Sequence, residues 1–93
     1  MNPKVYTTSN CPKCKKLKDY LSKKQIEYQE QDMTEPQARA ELAMNDVFAK
    51  SAPILRINEE YYKMNSLFDQ NSLKKQKLDQ IITEEENQSN EQK

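Results

Sequence analysis

Hydrophobic and polar positions along the first third of the chain follow two different periods. Lys4–Thr8 is a short run of β-branched and aromatic residues that predicts a strand. From Pro12 to about Lys24 apolar side chains recur every three or four residues and lysines occupy the opposite side, which predicts an amphipathic helix. Ile26–Asp32 alternates weakly and is charged, which favours a second strand at a sheet edge. The three elements together predict a right-handed βαβ unit.

The middle of the chain predicts a second helix followed by a hairpin. Thr34 is expected to cap this helix, which should bury Ala38 and Leu42 and end near Asn45 or Asp46. Val47 and Phe48 are expected to pack beneath the next loop. Strand-like runs over 53–58 and 60–64 flank a tight turn at Asn58-Glu59 and predict a hairpin.

A last helix is predicted to begin at Asn71 or Ser72. Its inner face would consist of apolar residues at helical spacing, namely Leu73, Leu78, Ile81 and Ile82. The predicted order is therefore β-α-β-α-β-β-α. This order indicates a thioredoxin-like α/β fold with a four-stranded mixed sheet flanked by helices.

Composition limits the chain to one small domain and excludes several kinds of partner. The 93 residues include 15 basic and 15 acidic side chains, so no net charge attracts nucleic acid or an anionic membrane. We expect a folded domain over residues 1–83 and a polar, disordered tail over 84–93. No apolar run is as long as a membrane span, and the first four residues lack the apolar stretch of a signal, so we expect a cytoplasmic protein.

The chain contains no glycine, which removes the usual residue for turns that need a positive φ. Asn58, Asn65 and Asn71 fall at predicted breaks and are expected to take that role. The absence of glycine also excludes the P-loop and the dinucleotide-binding fingerprint, because both depend on glycine. We therefore expect no nucleotide cofactor bound by these motifs, and no other cofactor.

The only two cysteines, Cys11 and Cys14, lie in a Cys-Pro-Lys-Cys segment between the first strand and the first helix. Cys11 fits the N-cap and Pro12 fits N1, where a missing N–H has no cost. A thiolate at this point is stabilised by free backbone N–H groups and the helix dipole, which lower the cysteine pKa toward neutrality. Cys14 lies one turn further on the same face. This pattern predicts a redox-active dithiol that opens and closes a Cys11–Cys14 disulfide.

Two other interpretations of the cysteine pair remain open. A structural disulfide that closes a ring of about four residues would stabilise the fold by only roughly 2 kcal/mol. A zinc site normally needs four ligands, and the chain offers two cysteines and no histidine. Two chains could still share an all-cysteine zinc or iron–sulfur centre, which would make the protein a dimeric metal-binding module. A non-catalytic adaptor that docks a partner through its tail or cleft is a third, weaker possibility.

Two motifs in the right order make the chain resemble the glutaredoxin-like redoxins, and more narrowly the glutaredoxin-family proteins of anaerobic archaea. The motifs are VYTTSNCPKC, which ends at Cys14, and SAPIL, which follows the loop DVFAK and begins at Ser51. The resemblance covers about Lys4 to Ile82. It implies a cis peptide bond before Pro53, with the Ala52 amide and carbonyl facing the dithiol.

The resemblance also implies thiol–disulfide exchange, in which Cys11 attacks a substrate disulfide and Cys14 resolves the mixed disulfide. Pro12, Lys13, Ala52 and Pro53 are the expected substrate-binding residues. Lys13 and the neighbouring lysines at 15 and 16 add positive charge near the thiolate, although a solvated helix face would carry the same residues. We expect a monomeric protein-disulfide reductase that contains no metal.

The electron donor is left open by the sequence. Many glutathione-using members have a Lys or Arg three residues before the first cysteine, where this chain has Thr8. They also have a Gly-Gly turn after the fourth strand, where this chain has Lys63, Met64 and Asn65. Ser51 and Ala52 stand where Thr-Val precedes the proline in many members. A protein dithiol or a flavoenzyme reductase is therefore at least as well supported as glutathione or another small thiol.

Overall fold

The structure, a computed structural model, describes residues 3–47 and 51–91. Its elements are β1 (Lys4–Thr7), α1 (Pro12–Lys23), β2 (Gln29–Asp32), α2 (Pro36–Met44), β3 (Ile54–Ile57), β4 (Glu60–Tyr62), α3 (Met64–Leu67), β5 (Phe68–Asp69), β6 (Ser72–Leu73) and α4 (Lys75–Glu91). Four strands form one sheet in the order β2-β1-β3-β4. β1 pairs parallel with β2 and antiparallel with β3, and β3 pairs antiparallel with β4. The thioredoxin-like mixed sheet predicted from the sequence is confirmed.

Alternating residues of β1 supply the two sides of the core, because successive side chains of a strand point to opposite faces. Val5 packs with apolar residues of α1 and α4, whereas Tyr6 packs with Ala38 and Leu42 of α2. Helices therefore cover both faces of the sheet. Leu78, Ile81 and Ile82 of α4 are buried, as the helical spacing predicted.

The final helix begins later than the sequence analysis expected. Ser72 and Leu73 belong to a two-stranded ribbon, β5–β6, in which Phe68 pairs with Leu73. Gln70 lies at the turn of this ribbon and has a φ of 58°. The Lys74 N–H donates to the Leu67 carbonyl at 2.8 Å. These backbone bonds compete with a helix start at Asn71 or Ser72, so the predicted start is wrong. Below, "the ribbon" means residues 68–73.

Thr34 does not cap α2, so that prediction is also wrong. Its N–H and its hydroxyl both donate to Asp32 Oδ1, at 2.8 and 2.6 Å, and these bonds lower the pKa of Asp32. The N-cap is Glu35, whose side chain makes no capping bond, and Pro36 occupies the first turn. The Thr34 hydroxyl is therefore oriented toward Asp32 in a local turn, and the helix begins one residue later than predicted.

Residues other than glycine supply every positive φ found in the described part of the chain. They are Asn10, Gln25, Asp46, Asn58 and Gln70. The expectation is confirmed for Asn58, which turns the β3–β4 hairpin. It is wrong for Asn65, which lies in α3, and for Asn71, because Gln70 takes the left-handed conformation instead.

Three remaining expectations concern the ends and the loop before the second motif. Composition predicts disorder for residues 84–93, but α4 extends to Glu91 and includes most of them. The segment can be helical because Glu and Gln are good helix formers even without a core to pack on. The domain boundary at residue 83 stays a prediction. Val47 is buried as expected, while Phe48 lies outside the described residues. None of the helices in 3–47 and 51–91 combines the length and apolar character needed to cross a membrane.

Candidate active site

The helix α1 begins beneath Cys11. Cys11 is the N-cap, with an extended backbone (φ −116°, ψ 96°), and Pro12 occupies the first helical position. The Cys14 N–H donates a hydrogen bond to Cys11 Sγ at 3.1 Å. The sulfur of Cys11 therefore takes the place that a Ser or Asp oxygen holds at an ordinary N-cap.

Cys11 and Cys14 are joined in a disulfide, and their Cα atoms are 5.2 Å apart. The two cysteines differ in their access to solvent. Cys14 is 2% exposed, whereas Cys11 is only partly buried. A partner molecule can therefore reach Cys11 and not Cys14.

The second motif lies beside this sulfur. The Ala52–Pro53 peptide bond is cis, as the resemblance implied, and both residues are buried. The Ala52 carbonyl oxygen lies 3.8 Å from Cys11 Sγ. The Ala52 backbone thus borders the sulfur instead of pairing within the sheet, since β3 begins only at Ile54.

An open cleft of about 430 Å³ lies above the dithiol. Its walls are formed by Thr8, Asn10, Cys11, Pro12, Lys13, Ser51, Ala52, Met64 and Asn71. Of the residues expected to bind substrate, the cleft includes Pro12, Lys13 and Ala52. Pro53 is fully buried and adjoins the cleft through its bond to Ala52.

Five of the lining residues were not among the sequence predictions. Thr8, Asn10 and Ser51 could have been found, because each belongs to one of the two motifs. Asn71 had no signal for a place in the cleft, and the only signal for Met64 was its position in the segment that replaces the Gly-Gly turn of glutathione-using members. Both residues reach the cleft because α3 and the ribbon, which the sequence did not predict, place them there.

Two lysines of α1 contact the wall of the cleft that Met64 and Asn71 form. Lys13 Nζ lies 3.6 Å from Met64 Sδ and 6.0 Å from the ring centre of Phe68. Lys16 Nζ donates to the Asn71 backbone carbonyl at 2.6 Å. The helix that presents Cys11 is therefore attached to α3 and to the ribbon on its cleft side.

Two tyrosines outside the cleft lining have strongly raised pKa values. Burial raises the pKa of Tyr6 far above its usual value, and a hydrogen bond from its hydroxyl to Glu41 adds to the shift. Burial and a bond to Asp79 raise the pKa of Tyr20 to about 12. Both hydroxyls stay protonated at neutral pH and act as structural donors.

Metal ligands are sparse around the dithiol. No group of three or more His, Cys, Asp or Glu side chains that could hold a metal ion occurs within 3–47 and 51–91. A metal bound to the two cysteines would need its other ligands from a second molecule, as the bridged-dimer alternative assumes.

The fold and the dithiol at the start of α1 define a thioredoxin-fold redox protein. The family model described as glutaredoxin matches residues 4–62, and the chain belongs to the glutaredoxin family. It is accordingly a thiol–disulfide oxidoreductase in class, with Cys11–Cys14 as its Cys-x-x-Cys pair. The narrower resemblance to archaeal members stays a prediction.

Two solved structures share this fold. Glutaredoxin 1 from Francisella tularensis, crystallised with cacodylate, is 22% identical with a TM-score of 0.62, over 88% of this chain and 96% of that one. NrdH-redoxin from Escherichia coli, described as glutaredoxin-like with a thioredoxin-like activity profile, is 16% identical with a TM-score of 0.56, over 68% of this chain and 82% of that one. A search of curated proteins finds no match.

Proposed function

We propose that the protein is a monomeric, cytoplasmic reductase of protein disulfides that works by dithiol exchange. The difference in exposure between the two cysteines carries this proposal, because it assigns them different roles. Cys11, accessible at the helix N-terminus, is the nucleophile. Cys14, buried one turn inside the helix, is the resolving thiol.

The exchange takes place in two steps that balance in atoms and electrons. The Cys11 thiolate attacks one sulfur of the substrate disulfide, forms a mixed disulfide and releases the other substrate sulfur as a thiolate. The Cys14 thiolate then attacks Cys11 Sγ, breaks the mixed disulfide and releases the second substrate thiolate. The substrate gains two electrons and the protein is left as the Cys11–Cys14 disulfide.

Four features around Cys11 support the first step. The Cys14 N–H, 3.1 Å from Cys11 Sγ, stabilises the thiolate, and the positive end of the α1 dipole adds to this effect. The open cleft gives a substrate access to the sulfur, and the Ala52 backbone offers polar groups beside it. Pro12, Lys13, Ala52 and Pro53 are the proposed substrate-binding residues.

Regeneration of the dithiol needs two electrons from a thiol or a reductase, and we propose a protein donor. Met64 and Lys13 contact each other at one wall of the cleft, with 3.6 Å between Sδ and Nζ. A small thiol binding along this wall would have to displace that contact. NrdH-redoxin from Escherichia coli, a glutaredoxin-like protein with a thioredoxin-like activity profile, gives a precedent for a redoxin of this kind.

The experiment compares two single variants on the same disulfide-containing protein. Cys14→Ser should form a stable mixed disulfide with the substrate, visible by mass spectrometry, because the first attack remains and the second is lost. Cys11→Ser should form none. Trapping by Cys11→Ser instead would show that the roles are reversed, and trapping by neither would contradict the exchange mechanism.

A further inference from the structure

Four of the five lysines of α1 differ in what they contact. Lys15 forms an ion pair with Asp19 at 2.9 Å, and Lys18 forms one with Glu30 at 3.0 Å. Lys13 and Lys16 instead contact neutral groups, the sulfur of Met64 and the backbone carbonyl of Asn71. Within the described residues no carboxylate lies within ion-pair distance of Lys13 or Lys16. Two uncompensated positive charges therefore lie on the side of α1 that faces the cleft and the ribbon.

The cleft itself has no opposing charge. Besides Lys13, the polar side chains among its described lining residues are those of Thr8, Asn10, Ser51 and Asn71, which are hydroxyls and amides. The ribbon contributes one acidic residue, Asp69, which is exposed and is not part of the lining. The described lining therefore carries one positive side chain and no negative one, although the chain has no net charge.

We propose that Lys13, Lys16 and the turn of the ribbon at Gln70 and Asn71 form a docking surface for a protein segment that carries Asp or Glu residues beside its disulfide. This inference rests on the proposed reductase function and names its preferred partner. Lys13 and Lys16 lie one helical turn apart, about 4.5 Å along the axis. Alternate residues of an extended segment lie about 6.5 Å apart on one side, so two carboxylates spaced in this way can reach both ammonium groups.

Charge complementarity of this kind acts mainly on the rate of encounter and on the choice of partner. An acidic segment would be attracted toward Cys11, and a basic one repelled. The attraction should weaken with salt, because exposed charges are screened over about 8 Å at physiological ionic strength. These two properties separate docking through charge from a purely structural role of the lysines.

The test uses two disulfide-bonded peptides of the same length, one with glutamates and one with lysines around the cystine. At low ionic strength the wild-type protein should reduce the acidic peptide at least about fivefold faster. The preference should fall toward one in about 0.5 M salt, where the screening length is about 4 Å. Equal rates for both peptides at low salt would overturn the docking surface and leave the reductase function intact.

Two matched variants locate the effect on α1. Lys16→Gln should lower the preference for the acidic peptide by about twofold, the effect of one charge acting across water. Lys23→Gln removes the same charge about 10 Å further along the helix, where Lys23 is exposed, and should leave the preference unchanged. If Lys16→Gln only loosened the ribbon, it would slow the reduction of both peptides equally and leave the preference for the acidic peptide unchanged. That result would overturn the proposal. Equal effects of the two variants would overturn it as well, and failure to reduce either peptide would contradict the reductase function on which it rests.

Discussion

The backbone N–H of Cys14 donates to Sγ of Cys11 at 3.1 Å, so the sulfur of Cys11 caps the helix that carries Cys14. This bond exists only because Cys11 occupies the N-cap and Cys14 the third helical position. A spacing of three residues thus serves both chemistry and local structure. It brings the sulfurs within bonding distance and directs a backbone donor at the exposed one.

The end of α1 gives a first prediction, about stability. Gln25 has a φ of 59° and is the left-handed C′ residue of a Schellman motif, in which the Ile26 N–H donates to the Leu21 carbonyl at 2.9 Å. A residue other than glycine pays a steric cost in this conformation. Gln25→Gly should therefore raise the free energy of unfolding by about 1 kcal/mol, measured by urea denaturation.

A matched control for this prediction is Gln80→Gly, at an exposed position inside α4. There glycine should lower the free energy of unfolding by about 1 kcal/mol, because it is a poor helix former. Loss of stability in both variants would contradict the role assigned to Gln25.

A second prediction concerns Tyr6, which is fully buried and donates to Glu41. Tyr6→Phe should cost about 2 kcal/mol of unfolding free energy at pH 7, since the lost bond ends on a charged group. Although burial alone would raise the pKa of Glu41, the bond from Tyr6 and the charges of Lys4 and Arg56 lower it. The stability gained from this lowered pKa is present above the ordinary value of 4.5 and is lost as the pH falls below it.

The difference in stability between wild type and Tyr6→Phe should accordingly shrink below about pH 4.5. Tyr28→Phe is the control, because no partner of the Tyr28 hydroxyl is found among the described residues. It should change stability by less than about 0.5 kcal/mol. A difference between wild type and Tyr6→Phe that is independent of pH would contradict the coupling to Glu41.

A third prediction concerns the alkaline limit of stability. The Tyr20 hydroxyl donates to Asp79, and its pKa is raised to about 12 by burial and by that bond. A raised pKa stabilises the fold fully below the ordinary value of 10.0, and the contribution is lost as the pH rises toward 12. Unfolding free energy should fall across this range in the wild type and less steeply in Tyr20→Phe. Ultraviolet titration that shows every tyrosine ionising near pH 10 would contradict the shift.

Local patterns predicted most of the fold and the reactive pair. β1, α1 and the β3–β4 hairpin each have a period or a turn residue that is readable within about ten residues. The positions of Cys11 at the N-cap and Pro12 at the first helical position could be predicted from the start of α1 alone. The cis bond before Pro53 could not be predicted from local sequence, and the family resemblance supplied it.

Other parts of the cleft could not be predicted because they depend on contacts distant in sequence. The ribbon consists of two-residue strands whose register is set by the Phe68–Leu73 pair, and no period is readable over so short a span. Asn71 therefore had no signal, although it lines the cleft. At Thr34 the capping pattern was present, but the hydroxyl donates to the Asp32 carboxylate and does not cap the helix.

The most direct test of the account is the pH dependence of alkylation of Cys11 in the reduced Cys14→Ser variant. This variant keeps the backbone N–H at position 14 and leaves one thiol to follow. Because the N–H and the helix N-terminus stabilise the thiolate, the rate of alkylation should reach its midpoint well below the ordinary thiol value of about 8.5. A midpoint at or above that value would contradict the claim that the start of α1 activates Cys11.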